Sequence, residues 1–379
     1  MRFAFTAEQE ELRRSARAFL EKYSSSERVR AAMATERGYD EDVWRRIGGE
    51  LGWTAITIPE DCLGLGLGYV EIVALLEETG RALLCSPFLS TITLGANAVL
   101  EAGSDAQRQE ILPGIAAGKT TATLAHTESG GRWDTGTITA TFRKDGDDFI
   151  VDGVKTFVPD GHTADLLIVT ARREGTIGDE GVSLFIVPAG STGVSRRALP
   201  TMDQTRRQAE IRLDSVRVPA GALLGEEGRG APTLLRTLDL AAIAIAAEQV
   251  GGAQKCLDMT VQYAKDRVQF GRPIGAFQAI KHKCADMLLR VESARSAAYY
   301  AGWAASVGDP DLPALASLAK AYCSDAYFHC AAESIQIHGG VGFTWEYDVH
   351  LHFKRARSTE AFLGTPSYHR ERVARAIGI

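Results

Sequence analysis

The spacing of apolar positions changes twice along the chain. Up to about residue 119 it is helical: Leu12, Ala16, Phe19, Leu20 and Tyr23 recur at steps of three and four, one face of a helix. Just ahead, Thr6-Ala7-Glu8-Gln9 is a capping-box pattern, with the Thr6 hydroxyl placed to accept the amide of the third helical residue. Residues 70–84 read as a second amphipathic segment, broken at Ser86-Pro87. From 120 to about 226 the period drops to two, with Ile138, Ala140 and Phe142 alternating against Thr137, Thr139, Thr141 and Arg143. Asp145-Gly146-Asp147-Asp148 signals a turn, Phe149-Ile150-Val151 resumes the strand, and residues 166–170 and 182–187 are short β-branched runs. Beyond 227 the helical spacing returns in two long alanine-rich segments, 231–265 and 313–338, and Gly339 stands where a helix C-terminus calls for a left-handed residue. The pattern predicts a mainly α protein with a central, compact antiparallel β domain: helical 1–119, β 120–226 and a helical bundle over 227–379.

Composition narrows the function classes. The chain has 379 residues, enough for two or three domains and a large core. Its net charge of −6, without a large basic block, argues against nucleic acid as a partner. No apolar run reaches the roughly 18 residues a membrane span needs. Met1-Arg2-Phe3-Ala4-Phe5-Thr6 lacks a secretory apolar region, which favours the cytoplasm. Cys62, Cys85, Cys256, Cys284, Cys323 and Cys330 show neither CxxC pairs nor metal-ligand spacing and read as buried reduced thiols. Gly64-Leu65-Gly66-Leu67-Gly68 lacks the strand, helix and acidic residue of a dinucleotide fingerprint and reads as a loop. His350 and His352, two apart, point about 200° apart on a helix and do not share a metal ion. Lys354, Arg355 and Arg357 read as a small interface or solvated basic face. No nucleophile elbow or phosphate loop is present, and residue types alone give no function.

Function enters through a resemblance. Gln336-Ile337-His338-Gly339-Gly340-Val341-Gly342-Phe343 resembles the Q-I-x-G-G-x-G-[FY] signature of the acyl-CoA dehydrogenases. Leu51-Gly52-Trp53 with Pro59-Glu60, the strand Asp152 to Val158, and Val216-Arg217-Val218-Pro219 with Leu224-Gly225 resemble further family segments. Arg267-Val268-Gln269-Phe270-Gly271-Arg272-Pro273-Ile274 with Phe277-Gln278 resembles its R-x-x-F-G-x-x-I-x-x-[FH]-Q. The motifs keep family order and spacing over nearly the whole chain. The resemblance implies three domains, with a middle antiparallel β-barrel and a C-terminal four-helix bundle. It also implies FAD-dependent α,β-desaturation of an acyl-CoA thioester, with electron transfer flavoprotein as acceptor. In the family, the groups matching Arg267, Phe270, Gln278, Gln336, Gly339 and Gly340 grip an FAD whose flavin ring sits in the neighbouring subunit. Their chemistry suits FAD binding, with a guanidinium fork for phosphate oxygens, glycines that let the backbone approach, and neutral amides for adenosine or phosphate. Thr127, Phe157 and Thr365 fall at further family cofactor positions.

Three departures accompany the match. The family's T-E-P-G-A-G-S-D loop resembles Thr127-Glu128-Ser129-Gly130-Gly131-Arg132-Trp133-Asp134, which puts two bulky side chains where close approach is expected. Its W-[IV]-[ST] strand end is Phe157-Val158-Pro159, and Pro159 has neither the hydroxyl nor an N–H to replace the flavin N5 donor. Where the family writes Y-E-G-T, with Glu as the base that removes the α-proton, this chain reads Phe362-Leu363-Gly364-Thr365. The alternative base position, in a D-x-E-R pattern, is Ala241 within Asp239-Leu240-Ala241-Ala242. Glu360, Asp239 and Glu248 are the nearby acids, and none has the right spacing. No catalytic residue and no metal ligand is therefore assigned. The profile resembles the base-lacking subunit of heteromeric α2β2 acyl-CoA dehydrogenases, known in actinobacterial steroid side-chain breakdown. Alternatives are a homotetramer with a relocated base, a flavin-dependent oxygenase, or a scaffold without turnover.

Overall fold

The computed structural model describes residues 5–379; residues 1–4, part of the N-terminal targeting reading, lie outside the described residues. In chain order the helices are α1 (Ala7–Tyr23), α2 (Ser26–Ala34), α3 (Glu41–Arg45), α4 (Tyr69–Arg81), α5 (Asn97–Ala102), α6 (Asp105–Ala116), α7 (Ala231–Asp266), α8 (Gln278–Val307), α9 (Leu312–His338), α10 (Val349–Ala361) and α11 (Pro366–Ala376). The strands are β1 (Ala122–Ala125), β2 (Thr141–Asp145), β3 (Asp148–Pro159), β4 (Leu166–Arg173), β5 (Val182–Pro188), β6 (Val194–Ala198), β7 (Gln208–Val218), β8 (Leu223–Leu224), β9 (Val268–Gln269) and β10 (Arg272–Pro273). The chain divides into two compact units. Among the described residues, a helical unit comprises 5–31, Gly68–Leu84 and Ala242–Ile379; a sheet unit comprises Ala32–Leu67 and Cys85–Ala241. No described helix is long and apolar enough to cross a membrane.

In the helical unit, α1 starts with the expected box: Thr6 Oγ1 accepts the Gln9 N–H and the Gln9 side chain accepts the Thr6 N–H. The segment read as amphipathic, α4, is instead buried almost all round, from Ile72 to Gly80. Close approach to α7 explains this. A Cβ on Gly251 would lie 1.7 Å from the Glu77 carbonyl oxygen, and one on Gly80 would lie 2.0 Å from the Glu248 carbonyl oxygen. Among the α4 polar positions, Glu77 and Glu78 are buried carboxylates neutralised by Arg295 and Arg17, with Tyr299 also donating to Glu77. A second core joins Cys256 and Leu257 of α7, Met287 and Val291 of α8, Tyr327 and Cys330 of α9, and Ala356 of α10. The segments read at 231–265 and 313–338 are α7 and α9.

In the sheet unit, β1 to β8 form one sheet in the order β6-β7-β3-β2-β4-β5-β8, with β1 added on β4. It is mixed rather than antiparallel, because β1 and β2 both run parallel to β4. The hairpin closes as predicted, with Asp145 opposite Asp148 and Gly146 at φ +66°. Phe142 packs edge-on against Phe149 and Phe185 at its centre, with centroids 5.7 and 5.0 Å away. The alternation at 137–143 is present in burial, yet β2 begins only at Thr141. Glu128 explains this: its carboxylate accepts the N–H groups of Thr139 and Ala140, which are then not ladder donors.

Candidate cofactor site

The first group of expected residues lies in the helical unit and is exposed. Where α7 ends, the Arg267 N–H donates to the Tyr263 carbonyl (2.8 Å) and the Arg267 carbonyl accepts the Ile274 N–H (2.8 Å). Between them β9 and β10 form a two-residue hairpin turned by Phe270 (φ +55°) and Gly271 (φ +75°). Phe270 is 90% exposed, a ring held out from the chain's own core. Gln278 opens α8 and Gln336 lies in the last turn of α9; both amides are exposed and unbonded among the described residues. Gly339 ends α9 at φ +63°, but with ψ −141°, outside the left-handed helical region. That combination is open essentially to glycine alone. A Cβ at Gly339 or Gly340 would meet nothing within 4 Å, so the backbone there faces open space. One brace the sequence reading missed joins the ends of α7 and α9: the Tyr263 hydroxyl donates to the His338 carbonyl (3.3 Å) and the two rings stack at 4.3 Å. A cavity of about 760 Å³ is lined by Tyr263, Arg267 and His338, among others.

The second group lies in the sheet unit and is largely self-satisfied. The Thr127 hydroxyl donates to the Thr156 carbonyl (2.5 Å), and the Thr127 carbonyl accepts the Thr156 N–H (2.8 Å). Phe157 sits at a bulge of β3 against β7, at φ +53° and 42% exposed. Pro159 pairs with Gln208, and its carbonyl accepts the Thr123 hydroxyl. Trp133 turns inward, buried, with its ring 5.8 Å from that of His126, while Arg132 is exposed beside Asp134. Beneath this loop lies a buried relay that the motifs did not signal. Lys155 Nζ donates to the His126 carbonyl (3.2 Å), the Glu128 carboxylate (2.7 Å) and the Thr170 hydroxyl (3.2 Å). His126 Nε2 faces the Trp133 carbonyl, which only accepts, so Nε2 carries the proton and Nδ1 accepts from Thr170. Burial, then Lys155, pushes His126 down to about 4; burial pushes Lys155 down to about 8 against the pull of Glu128.

The third element is the turn at Leu363, in the helical unit. Leu363 is buried at 3% exposure and at φ +62°, a region a Leu side chain seldom adopts. Three carbonyls of the turn are captured by buried side chains. Lys320 Nζ donates to Glu360 O (3.2 Å) and Gly364 O (3.1 Å), and to Ser324 Oγ (2.9 Å). His369 Nε2 donates to Leu363 O (2.9 Å). Burial pushes Lys320 down to about 7 and His369 to about 3. Thr365 caps α11, accepting the Tyr368 N–H, and remains exposed. Of the nearby acids, Glu360 pairs with Arg357, and Glu248 pairs with Arg355 in full burial. Asp239 is buried in the sheet unit. Arg355 therefore does not belong to a solvated basic face, whereas Lys354 lies over the Trp345 ring. His352 Nδ1 meets the Tyr327 hydroxyl (2.9 Å) and the His350 ring lies edge-on to Trp345.

Comparison with known proteins accounts for this architecture. The acyl-CoA dehydrogenase N-terminal, middle and C-terminal domain models match residues 6–119, 123–216 and 228–378. The chain belongs to the acyl-CoA dehydrogenase family. It is similar to acyl-CoA dehydrogenase IpdE2 of Mycolicibacterium smegmatis, 36% identical over 359 residues and covering 95% of each chain. Its fold matches butyryl-CoA dehydrogenase of Megasphaera elsdenii with a TM-score of 0.93 at 29% identity, covering 100% of both chains. It matches a chain of the ChsE4-ChsE5 complex of Mycobacterium tuberculosis with a TM-score of 0.90 at 28% identity, covering 100% of this chain and 99% of that one.

Proposed function

We propose that this chain is the base-lacking subunit of a heteromeric acyl-CoA dehydrogenase. In this reading its Arg267, Phe270, Gln278, Gln336, Gly339 and Gly340 grip an FAD whose flavin ring lies in a base-bearing homologue. The observation that carries the reading is the turn at the base position. An isobutyl group stands there, buried, with the backbone on either side tied down by Lys320 and His369. A positioned general base contributes about 10²- to 10⁴-fold, and Leu363 contributes none of it. The exposed group fits a dinucleotide pyrophosphate: among the described residues it offers an unpaired guanidinium, two unbonded amides and open space at two glycines. The sheet-unit group fits a flavin ring poorly, because the Thr127 hydroxyl already donates to Thr156 and Pro159 offers no donor. When bound, FAD supplies the hydride acceptor. This chain's part is to neutralise phosphate charge at Arg267, admit backbone contact at Gly339-Gly340 and orient adenosine through Gln278 and Gln336. The partner supplies the base for an acyl-CoA thioester, and electron transfer flavoprotein takes the electrons. The likeness to a chain of the ChsE4-ChsE5 complex supports a two-component assembly.

Co-expression with a base-bearing homologue tests the reading. The expected result is one FAD per heterodimer and turnover only in the complex. Turnover of an acyl-CoA by the chain alone, with bound FAD, would instead establish a homomeric enzyme with a relocated base. Oxygen consumption with a hydroxylated product would establish an oxygenase.

A further inference from the structure

The hairpin after α7 holds a second guanidinium that no family motif assigns. In the register of β9 and β10, Gln269 stands opposite Arg272 and Val268 opposite Pro273. The Arg267 carbonyl, bonded to the Ile274 N–H, extends that register by one residue. Residues directly opposite share a face and successive residues alternate. Arg267, Gln269 and Arg272 therefore fall on one face of the hairpin, with Val268 and Pro273 on the other. The Arg272 guanidinium lies 4.3 Å over the Phe277 ring, and the Phe270 ring meets Phe277 edge-on at 6.1 Å. A guanidinium held over a ring by cation–π attraction keeps N–H donors that the ring does not use. Neither Arg267 nor Arg272 has a carboxylate partner among the described residues, although the chain carries a net charge of −6. Phe277 immediately precedes Gln278, already placed in the cofactor group.

We infer that Arg272 is a second cation of the dinucleotide half-site, donating to the diphosphate that Arg267 also neutralises. The inference rests on the FAD reading above. A diphosphate diester carries one negative charge on each phosphate, so a lone guanidinium leaves one uncompensated; the hairpin offers a pair on one face. Phe277 acts as the platform that fixes the direction of the Arg272 fork.

The test is FAD affinity at low and high salt, by flavin fluorescence, in the complex carrying Arg272→Gln, Arg272→Lys or Arg267→Ala. Arg272→Gln is expected to weaken FAD by roughly tenfold at low salt and to flatten the salt dependence, with the melting temperature unchanged. Arg272→Lys should keep the salt dependence, because the charge stays, while losing part of the affinity with the stacked fork. The inference is overturned if Arg272→Gln binds FAD like the wild type at every salt concentration while Arg267→Ala does not. It is equally overturned if Arg272→Gln lowers melting temperature and affinity together with the salt dependence intact, the behaviour of a packing residue. If neither arginine matters, the FAD half-site reading itself fails.

Discussion

Single buried groups set the chemistry of this chain more than its motifs do. Lys155 is fully buried, and its three donors are matched by a backbone carbonyl, a carboxylate and a hydroxyl. Replacing it with methionine removes the cation beside the half-buried Glu128 carboxylate, which keeps the N–H groups of Thr139 and Ala140. The expected loss is about 1–3 kcal/mol, read as a shift in the denaturant midpoint. Three buried histidines set an acid limit. His126 is lowered to about 4, and His352 and His369 to about 3, in each case chiefly by burial. All three are neutral in the folded chain, while the unfolded chain protonates them near pH 6.5. The unfolded state thus binds more protons below pH 6.5, and stability falls as pH drops from there toward 4 and 3. Each group contributes about 1.4 kcal/mol per pH unit across its own window. Lys320, lowered to about 7 from an ordinary 10.5, acts in the same direction over a higher range, so stability also rises with pH from 7 toward 10. Thermal melting as a function of pH checks this. His369→Gln, whose amide can still donate to Leu363 O, should reduce the slope below pH 6.5; an unchanged slope would remove His369 from the account.

At the level of elements, the sequence was legible where local chemistry decides. The Thr6 capping box, the Asp145–Asp148 hairpin and the long alanine-rich α7 and α9 stand where the pattern puts them. It was less legible where distant groups intervene. The start of β2 depends on a carboxylate eleven residues upstream of Thr139, which no alternation of apolar residues reveals. The burial of α4 on all sides depends on the backbone of α7, and Glu77 and Glu78 look like a solvent face until Arg17 and Arg295 are in place. The sequence pattern passes over α8 because its buried stripe of Met287, Val291, Ala294, Ala298 and Ala301 is mostly alanine among charged neighbours. The contact between α4 and α7 gives a direct prediction. Gly251→Ala gains about 1 kcal/mol of helix propensity. It also forces a methyl into the Glu77 carbonyl, at a cost of about 1–3 kcal/mol or more. The net effect should be a lower melting temperature; a higher one would mean that the two helices part without penalty.

For the whole molecule, the exposed half of the candidate site was the legible half. Arg267, Phe270, Gln278, Gln336, Gly339 and Gly340 carry motif signals because, in the proposed reading, each would meet the cofactor through its own chemistry, at a fixed place on a turn or helix end. The relay under Thr127 and the locked turn at Leu363 were not legible. They are built from Lys155, Thr170, Lys320 and His369, residues far apart in sequence that become partners only on folding. Under the proposed function, such a chain would present one half of a dinucleotide site outward, while Thr127 and Lys155 keep internal partners.

The most direct test is the FAD content and acyl-CoA turnover of the chain alone and of the complex with a base-bearing homologue, each with and without Arg267→Ala. The predicted result is no turnover by the chain alone, one FAD per heterodimer in the complex, and loss of FAD from the Arg267→Ala complex with its melting profile otherwise preserved. Full FAD occupancy and turnover by the chain alone would contradict the account.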